Sequence, residues 1–77
     1  MLKRVATILS VVVEIDPGAV TREQNLVDDL GLSSLDVISL VVMFEQEFGI
    51  EIPDRHIMNF VTVGDVADYL QERTGTA

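Results

Sequence analysis

The chain has no cysteine, only one histidine, and five Lys and Arg against thirteen Asp and Glu in 77 residues. Without cysteine there is no disulfide, no thiolate metal site and no protein thiol for redox chemistry. A formal charge of −8 argues against nucleic acid and anionic membrane as partners, because phosphates are held by Lys and Arg. Long apolar runs are missing too. The longest, Leu40 to Phe44, is five residues, against about 20 for a bilayer-spanning helix. The start, MLKRVATILS, faintly imitates a signal peptide, with Lys3 and Arg4 ahead of apolar residues. Thr7, Ser10 and Glu14 interrupt it at helical spacing and no small-residue cleavage site follows, so a mature helix of a cytoplasmic protein is expected.

What is present is a short, hydrophobic, acidic chain. At 48% hydrophobic residues it should fold, as one domain over residues 1–77 that buries about 60–65% of its unfolded surface and is modestly stable. Eight acids (Glu23, Asp28, Asp29, Asp36, Glu45, Glu47, Glu51, Asp54) fall between residues 23 and 54 with no Lys or Arg among them. Such a stretch keeps a small protein soluble, and it also suits steering toward basic surfaces.

The periodicity is helical. Leu2, Val5, Ala6, Leu9, Val12 and Val13 share one face of a first helix expected over Leu2 to Ile15. The valines at 11–13 would suit a strand, but no second strand is there to pair with them. Pro17 and Gly18 stop the helix. A loop of about fifteen residues then runs to Gly31, long enough to need pinning, for which Leu26, Val27, Leu30 and Leu32 are the candidates. A second helix is expected from Ser34 to Phe48, stopped by Gly49. Its core stripe is Val37, Leu40, Val41, Phe44 and Phe48, and Leu35, Ile38 and Val42 make a second apolar cluster offset by about a third of a turn. Asp54 can cap a brief helix through Phe60. Thr62 with Asp65 forms a capping box for a last helix from Val63 to about Arg73, packing Val63, Val66, Ala67 and Leu70 inward, and the tail from Gly75 should fray. The expected class is all-α: a small four-helix bundle of three main helices and one short third helix, with a long loop between the first two.

The stretch DLGLSSLD, residues 29–36, sets two serines at the mouth of the second helix. Only one can accept from the unpaired amides of the first turn. Ser33 fits that role, with Asp36 three residues on to complete a capping-box pair and favour the positive end of the helix dipole. Ser34 is then the first helical residue, and its hydroxyl has no structural task. A phosphate attached there would meet free N–H groups.

At these residues the sequence resembles the acyl carrier proteins. DLGLSSLDVISLVVMFEQEFGIEIPD is similar to that family's second-helix region, usually D-L-G-x-D-S-L-D, an apolar helix, an E-E-x-F end and I-x-I-P-D; TVGDVADYL at 62–70 is collinear with it. The resemblance implies that Ser34 carries 4′-phosphopantetheine, donated by coenzyme A and joined through a phosphodiester, whose terminal thiol holds acyl groups as thioesters. The missing cysteine is then no obstacle, because the sulfur arrives with the prosthetic group. The implied protein is a non-enzymatic, monomeric carrier. It serves a phosphopantetheinyl transferase, an acyl-loading enzyme, and a ketosynthase or acyltransferase with a basic docking surface, in fatty-acid, lipid or polyketide-type biosynthesis.

Three departures stand out: Ser33 replaces the family's Asp, Ser39 replaces a common acid, and Arg55 and His56 occupy a normally acidic third element. They suggest a specialised carrier. The expected partner face is Leu35, Asp36, Ile38, Val42, Glu45 and Arg55, with Leu35 and Ile38 apolar beside the arm and Asp36 and Glu45 guiding approach by charge. Two rivals stay open. One is an aminoacyl or peptidyl carrier; the other is an unmodified acidic adaptor that binds a basic partner through Leu35, Ile38 and Val42 and has no need of Ser34.

Other residues carry less. His56 has no second His or Cys for a metal site and reads as a solvent-exposed surface histidine. The Asp28–Asp29 pair reads as a solvated loop end ahead of an acid–base couple or a cation site. Met43 and Met58 fit packing at least as well as an adaptable groove, and Phe44, Phe48 and Phe60 read as core. No nucleophile–base pair, phosphate-cradling glycine loop or metal motif is found. The unrelieved acids between 23 and 54 repel one another, so screening ions should stabilise the fold. The melting temperature should rise from low salt to added divalent cation; a flat or falling trend would refute the repulsion.

Overall fold

The computed structural model describes residues 1–75 and contains four α-helices: α1 (Leu2–Val12), α2 (Ser34–Phe48), α3 (Asp54–Ile57) and α4 (Val63–Thr74). There is no strand among these residues, only an isolated antiparallel bridge between Asn25 and Thr62. The four-helix all-α expectation holds, short third helix included. Residues 76–77, where the tail was expected to fray, lie outside the described residues; Gly75 itself is a left-handed cap at φ 66°.

α1 stops three residues short of the expected Ile15. Val13 is extended, and the amide of Ile15 donates to the Val13 carbonyl at 2.8 Å instead of continuing the helix. The third of three consecutive β-branched residues gains more in an extended conformation than in a last helical turn without a cap. A 3₁₀ turn over Pro17–Ala19 follows, with the Asp16 carboxylate accepting from the Gly18 amide at 2.8 Å. The sequence reading missed it, although Asp-Pro-Gly supplies both the cap and the fixed φ of the first turn.

The core is where three helical stripes meet. Val5, Ala6 and Leu9 of α1, Leu40, Val41 and Phe44 of α2, and Val63, Val66, Ala67 and Leu70 of α4 are buried together with Val20, Leu26, Leu32 and Ile52 from the connections. No polar or charged residue is buried among them, so no side-chain hydrogen bond has to be satisfied inside and the side chains are held by apolar contact. Val37, Phe48 and Phe60 pack against this core from half-buried positions.

The long loop is held by backbone as well as by leucines. Leu26 N donates to Val61 O (2.9 Å), Val63 N to Gln24 O (3.0 Å) and Gly64 N to Arg22 O (2.9 Å). Two of these donors lie in the first turn of α4, whose amides have no intrahelical acceptor, so loop carbonyls complete the helix start. Of the four expected pins, Leu26 and Leu32 are buried and Leu30 is half-buried, but Val27 is exposed. The reason is a turn built on Asn25. Its side-chain oxygen accepts from the amides of Val27 and Asp28 (both 2.9 Å), which throws residues 27 and 28 outward. Asp28 and Asp29 are exposed in the loop, as a solvated loop end would be, and the Asp29 carboxylate also accepts from Asn25 N at 2.6 Å.

Arg22 also pairs with Asp68 at 2.7 Å on the surface. The guanidinium hydrogen bond holds the Asp68 carboxyl below its ordinary pKa and raises that of Arg22. Because the folded Asp68 value lies below the unfolded one, the pair favours the fold above the unfolded pKa, and that share is lost as pH falls through the folded value. Both groups are exposed, so solvent screens the pair strongly.

Gly64 lies where α4 meets the loop. A Cβ there would stand 3.1 Å from Arg22 O and 3.3 Å from Arg22 Cβ. Alanine would add up to about 1 kcal/mol of helix propensity in a helix interior, less in a first turn. The carbonyl it meets is the acceptor of Gly64's own amide, so it cannot retreat without losing that bond. Gly64→Ala should therefore lower stability by about 1 kcal/mol in urea melts, on the scale of mild overpacking; an unchanged or raised midpoint would show that the loop yields freely.

Candidate functional site

The site forms at the start of α2, and local chemistry sets that start. Gly31 takes φ 70°, a left-handed turn that L side chains adopt rarely. Leu32 follows it into the core, its amide donating to Leu26 O at 3.0 Å. Leu32 and Val37 occupy the two positions of a hydrophobic staple, and both join the core. Between them Ser33 is the N-cap. Its Oγ accepts from Asp36 N at 3.2 Å, and the Asp36 carboxylate accepts from Ser33 N at 3.0 Å. This is the capping box expected from the sequence.

Ser34 is the first residue of the helix and is exposed. Its Oγ makes no hydrogen bond among the described residues, and neither its amide nor that of Leu35 has an acceptor there. An exposed hydroxyl therefore stands beside two unpaired N–H groups at the positive end of a fifteen-residue helix. That setting accommodates an attached phosphate diester: the oxygen is accessible, and the neighbouring donors and dipole favour negative charge.

Along α2, Leu35, Ile38 and Val42 are 79%, 48% and 44% exposed. At 100° per residue they fall on the same side as Ser34, turned away from the core stripe. The helix ends at Gly49, which takes φ 64° and donates to Glu45 O.

The charged members of the expected face are placed differently. Asp36 is half-buried and its carboxylate is engaged by the capping box. Glu45 is half-buried and accepts from Ile52 N at 2.8 Å, fastening the connection after α2 to that helix's last turns. Glu45, expected to guide approach by charge, therefore has one carboxylate oxygen committed to a charge-assisted bond within the fold. Arg55 is exposed on α3. α3 itself starts at Asp54 with Pro53 in the cap position and ends at Ile57, so Asp54 is not its cap and the element stops short of Phe60.

His56 is also corrected. It is half-buried, with Nδ1 2.8 Å from the Tyr69 hydroxyl and its ring edge-on to the Tyr69 ring at 5.4 Å. Phe60 meets the other side of Tyr69 edge-on at 5.2 Å. The three rings bind α3 and its following turn to α4 around a cleft of about 350 Å³ that Asn59, Asp65 and Asp68 also line. Both carboxylates there are engaged, Asp65 by the amides of Val61 and Thr62 and Asp68 by Arg22. Met58, for which packing and an adaptable groove were both open, is 84% exposed. Spacing within so short an element gave no signal for either residue. Among the described residues no group of three His, Asp or Glu could hold a metal ion, and no helix is long and apolar enough to cross a membrane.

Comparison with known proteins agrees with this geometry. Residues 3–70 match the family model described as a phosphopantetheine attachment site. The chain belongs to the acyl carrier protein family. It is 45% identical over 75 residues to an acyl carrier protein of Phenylobacterium zucineum, covering 97% of this chain and 95% of the relative. An acyl carrier protein of Thermotoga maritima is 39% identical over 75 residues, at 97% and 93% coverage. The solved structure of a Mycobacterium tuberculosis protein described as an acyl carrier protein superimposes with a TM-score of 0.86 at 32% identity, covering 95% of this chain and 99% of that one. Acyl carrier proteins are carriers and not enzymes, and they bear a covalently attached 4′-phosphopantetheine. Whatever reacts on this protein, partner enzymes perform the reaction.

The two serines should separate in stability. Ser33→Ala removes a cap worth about 1 kcal/mol and should lower the urea midpoint accordingly, whereas Ser34→Ala should leave it nearly unchanged. Equal losses would refute the division of labour between them.

Proposed function

We propose that Ser34 is the attachment residue of the prosthetic group. The observation that carries this is the exposed Ser34 hydroxyl, unbonded beside two unpaired amides, next to a Ser33 hydroxyl already committed to Asp36 N. Attachment replaces the Oγ–H proton by a phosphodiester, with the adenosine bisphosphate of coenzyme A as leaving group. The arm, once bound, supplies the thiol on which acyl groups ride as thioesters. The chain's own contribution is to hold Oγ outside the bundle on a rigid helix end, to stabilise the diester charge, and to present the surface that partners grip.

That surface is the exposed strip Leu35, Ile38 and Val42. An apolar edge beginning one residue from the arm fits a hydrophobic pocket on a partner, and the net charge of −8 favours partners with basic docking surfaces. The partners are a phosphopantetheinyl transferase and the loading, condensing or acyl-transferring enzymes of fatty-acid, lipid or polyketide-type biosynthesis. Ser39 and Arg55, exposed where the family tends to carry acids, support a specialised carrier, with the cytoplasm as its compartment. An adaptor working through the same strip would have no use for the hydroxyl, so Ser34 separates the two readings.

Incubation with coenzyme A and a broad-specificity phosphopantetheinyl transferase should add one phosphopantetheine to the intact mass. Ser34→Ala should abolish the addition and Ser33→Ala should retain it. No addition to the wild-type chain, or a label mapped to Ser33, would overturn the assignment.

A further inference from the structure

The two unpaired amides at the start of α2 follow a run in which none is free. Every backbone amide from Asn25 to Ser33 donates a hydrogen bond. Asn25 is the hub of that run. Its side-chain oxygen takes the amides of Val27 and Asp28, both at 2.9 Å, and its carbonyl takes those of Asp29 and Leu30, both at 3.0 Å. Its own amide donates to the Asp29 carboxylate at 2.6 Å. One half-buried residue thereby closes the turn from both ends.

The turn is joined to the mount of Ser34 on one side and to α4 on the other. Val27 O accepts from Gly31 N at 3.1 Å, and Leu26 O accepts from Leu32 N at 3.0 Å. Leu32 is the buried residue directly before the Ser33 cap. Leu26 is buried as well and its amide donates to Val61 O at 2.9 Å, while Asn25 bridges to Thr62, the cap of α4. The turn is thus a strut between the start of α4 and the start of α2. It depends on a side-chain oxygen that stands in for a backbone carbonyl. With alanine at position 25, the Val27 and Asp28 amides lose their acceptor and turn to water in the exposed loop. The Leu26 and Val27 carbonyls then lose their fixed direction, and with it their hold on Leu32 and Gly31.

We propose that Asn25 is a positioning residue for the modification of Ser34. It acts at a distance, through Leu26, Leu32 and the Ser33 cap, by fixing the direction of the Ser34 hydroxyl and of the unpaired Ser34 and Leu35 amides. Attachment forms a bond from Ser34 Oγ to phosphorus while the bond from that phosphorus to the departing adenosine bisphosphate breaks. Oγ must therefore be held in line with the leaving group, and a misplacement of about 1 Å can cost about a hundredfold in rate. Binding of the transferase draws on the apolar strip and the net charge, which the turn does not alter. Loss of Asn25 is thus felt in the chemical step more than in binding. This rests on the carrier reading of Ser34.

The test uses the unmodified protein, coenzyme A and a broad-specificity phosphopantetheinyl transferase. Asn25→Ala should lower kcat for attachment about tenfold and leave KM within about twofold. Asn25→Ser, whose hydroxyl can accept the same amides more weakly, should recover most of the rate. Val5→Ala, a core truncation on α1 that leaves the bonds of the turn intact, should lower the melt but not kcat. Asp29→Ala loses only the bond to Asn25 N; it should lower kcat about threefold, and it decides the matter if Asn25→Ala does not fold. In amide NMR spectra of the unmodified protein, Asn25→Ala should move the Ser34 and Leu35 signals and leave those of Leu40 to Phe44 in place. No attachment to the wild-type chain would sink the carrier reading, whereas the spectra decide separately whether Asn25 fixes the start of α2. Unmoved Ser34 and Leu35 signals, an unchanged kcat, no recovery with Asn25→Ser, or an equal fall with Val5→Ala would overturn the role of Asn25.

Discussion

The reciprocal hydrogen bonds between Ser33 and Asp36 decide where α2 begins, and the chemistry of the protein depends on that boundary. With Ser33 as the cap, the next hydroxyl stands at the first helical position with nothing to bind. Had the helix begun one residue later, Ser34 would have been the cap and its oxygen would have turned inward to a backbone amide. The boundary is reinforced on both sides, by the left-handed Gly31 and the buried Leu32 before it and by Val37 after it. Two adjacent serines, chemically alike, are thereby given different work by a single turn of backbone.

The same economy governs the charges. Asp16, Asp29, Asp36, Glu45 and Asp65 each accept from a backbone amide at a turn, a helix start or a connection. These carboxylates therefore stabilise local structure in a chain with no buried polar residue among the described residues to do so. Charge-assisted bonds of this kind are stronger than neutral ones, which offsets part of the mutual repulsion of so many acids. The acids not tied down in this way, with the overall excess, set the field a partner meets.

Stiffness and exposure are combined in the proposed docking face. Leu35, Ile38 and Val42 are exposed but belong to a helix whose opposite stripe is locked in the core, so little ordering is needed when a partner covers them. α3 gains comparable rigidity from outside itself, through the His56–Tyr69–Phe60 rings and the Glu45–Ile52 bond. Four helical residues could not hold a side chain in place alone.

Much of this was legible in the residue order because it is local. α2 and α4 show the caps, the periodicity and the stop signals within a few residues of one another, and both were placed to within a residue at each end. The assignment of Ser33 as cap follows from the same short-range chemistry. The end of α1 was misjudged because apolar periodicity continues through Val13 after the backbone has become extended. What lay beyond the sequence is what distant segments do to each other. The pairing of the loop with residues 61–64, the engagement of Glu45 by Ile52 and the packing of His56 against Tyr69 join residues 7 to 42 positions apart. Periodicity says which face of a helix is apolar, but a side chain's partner on another element is chosen only when the helices pack. The sequence by itself determined the helical class, the start of α2 and the free hydroxyl of Ser34; the tertiary structure alone decided which charges remain available to a partner, because only packing brings each carboxylate to the amide that claims it.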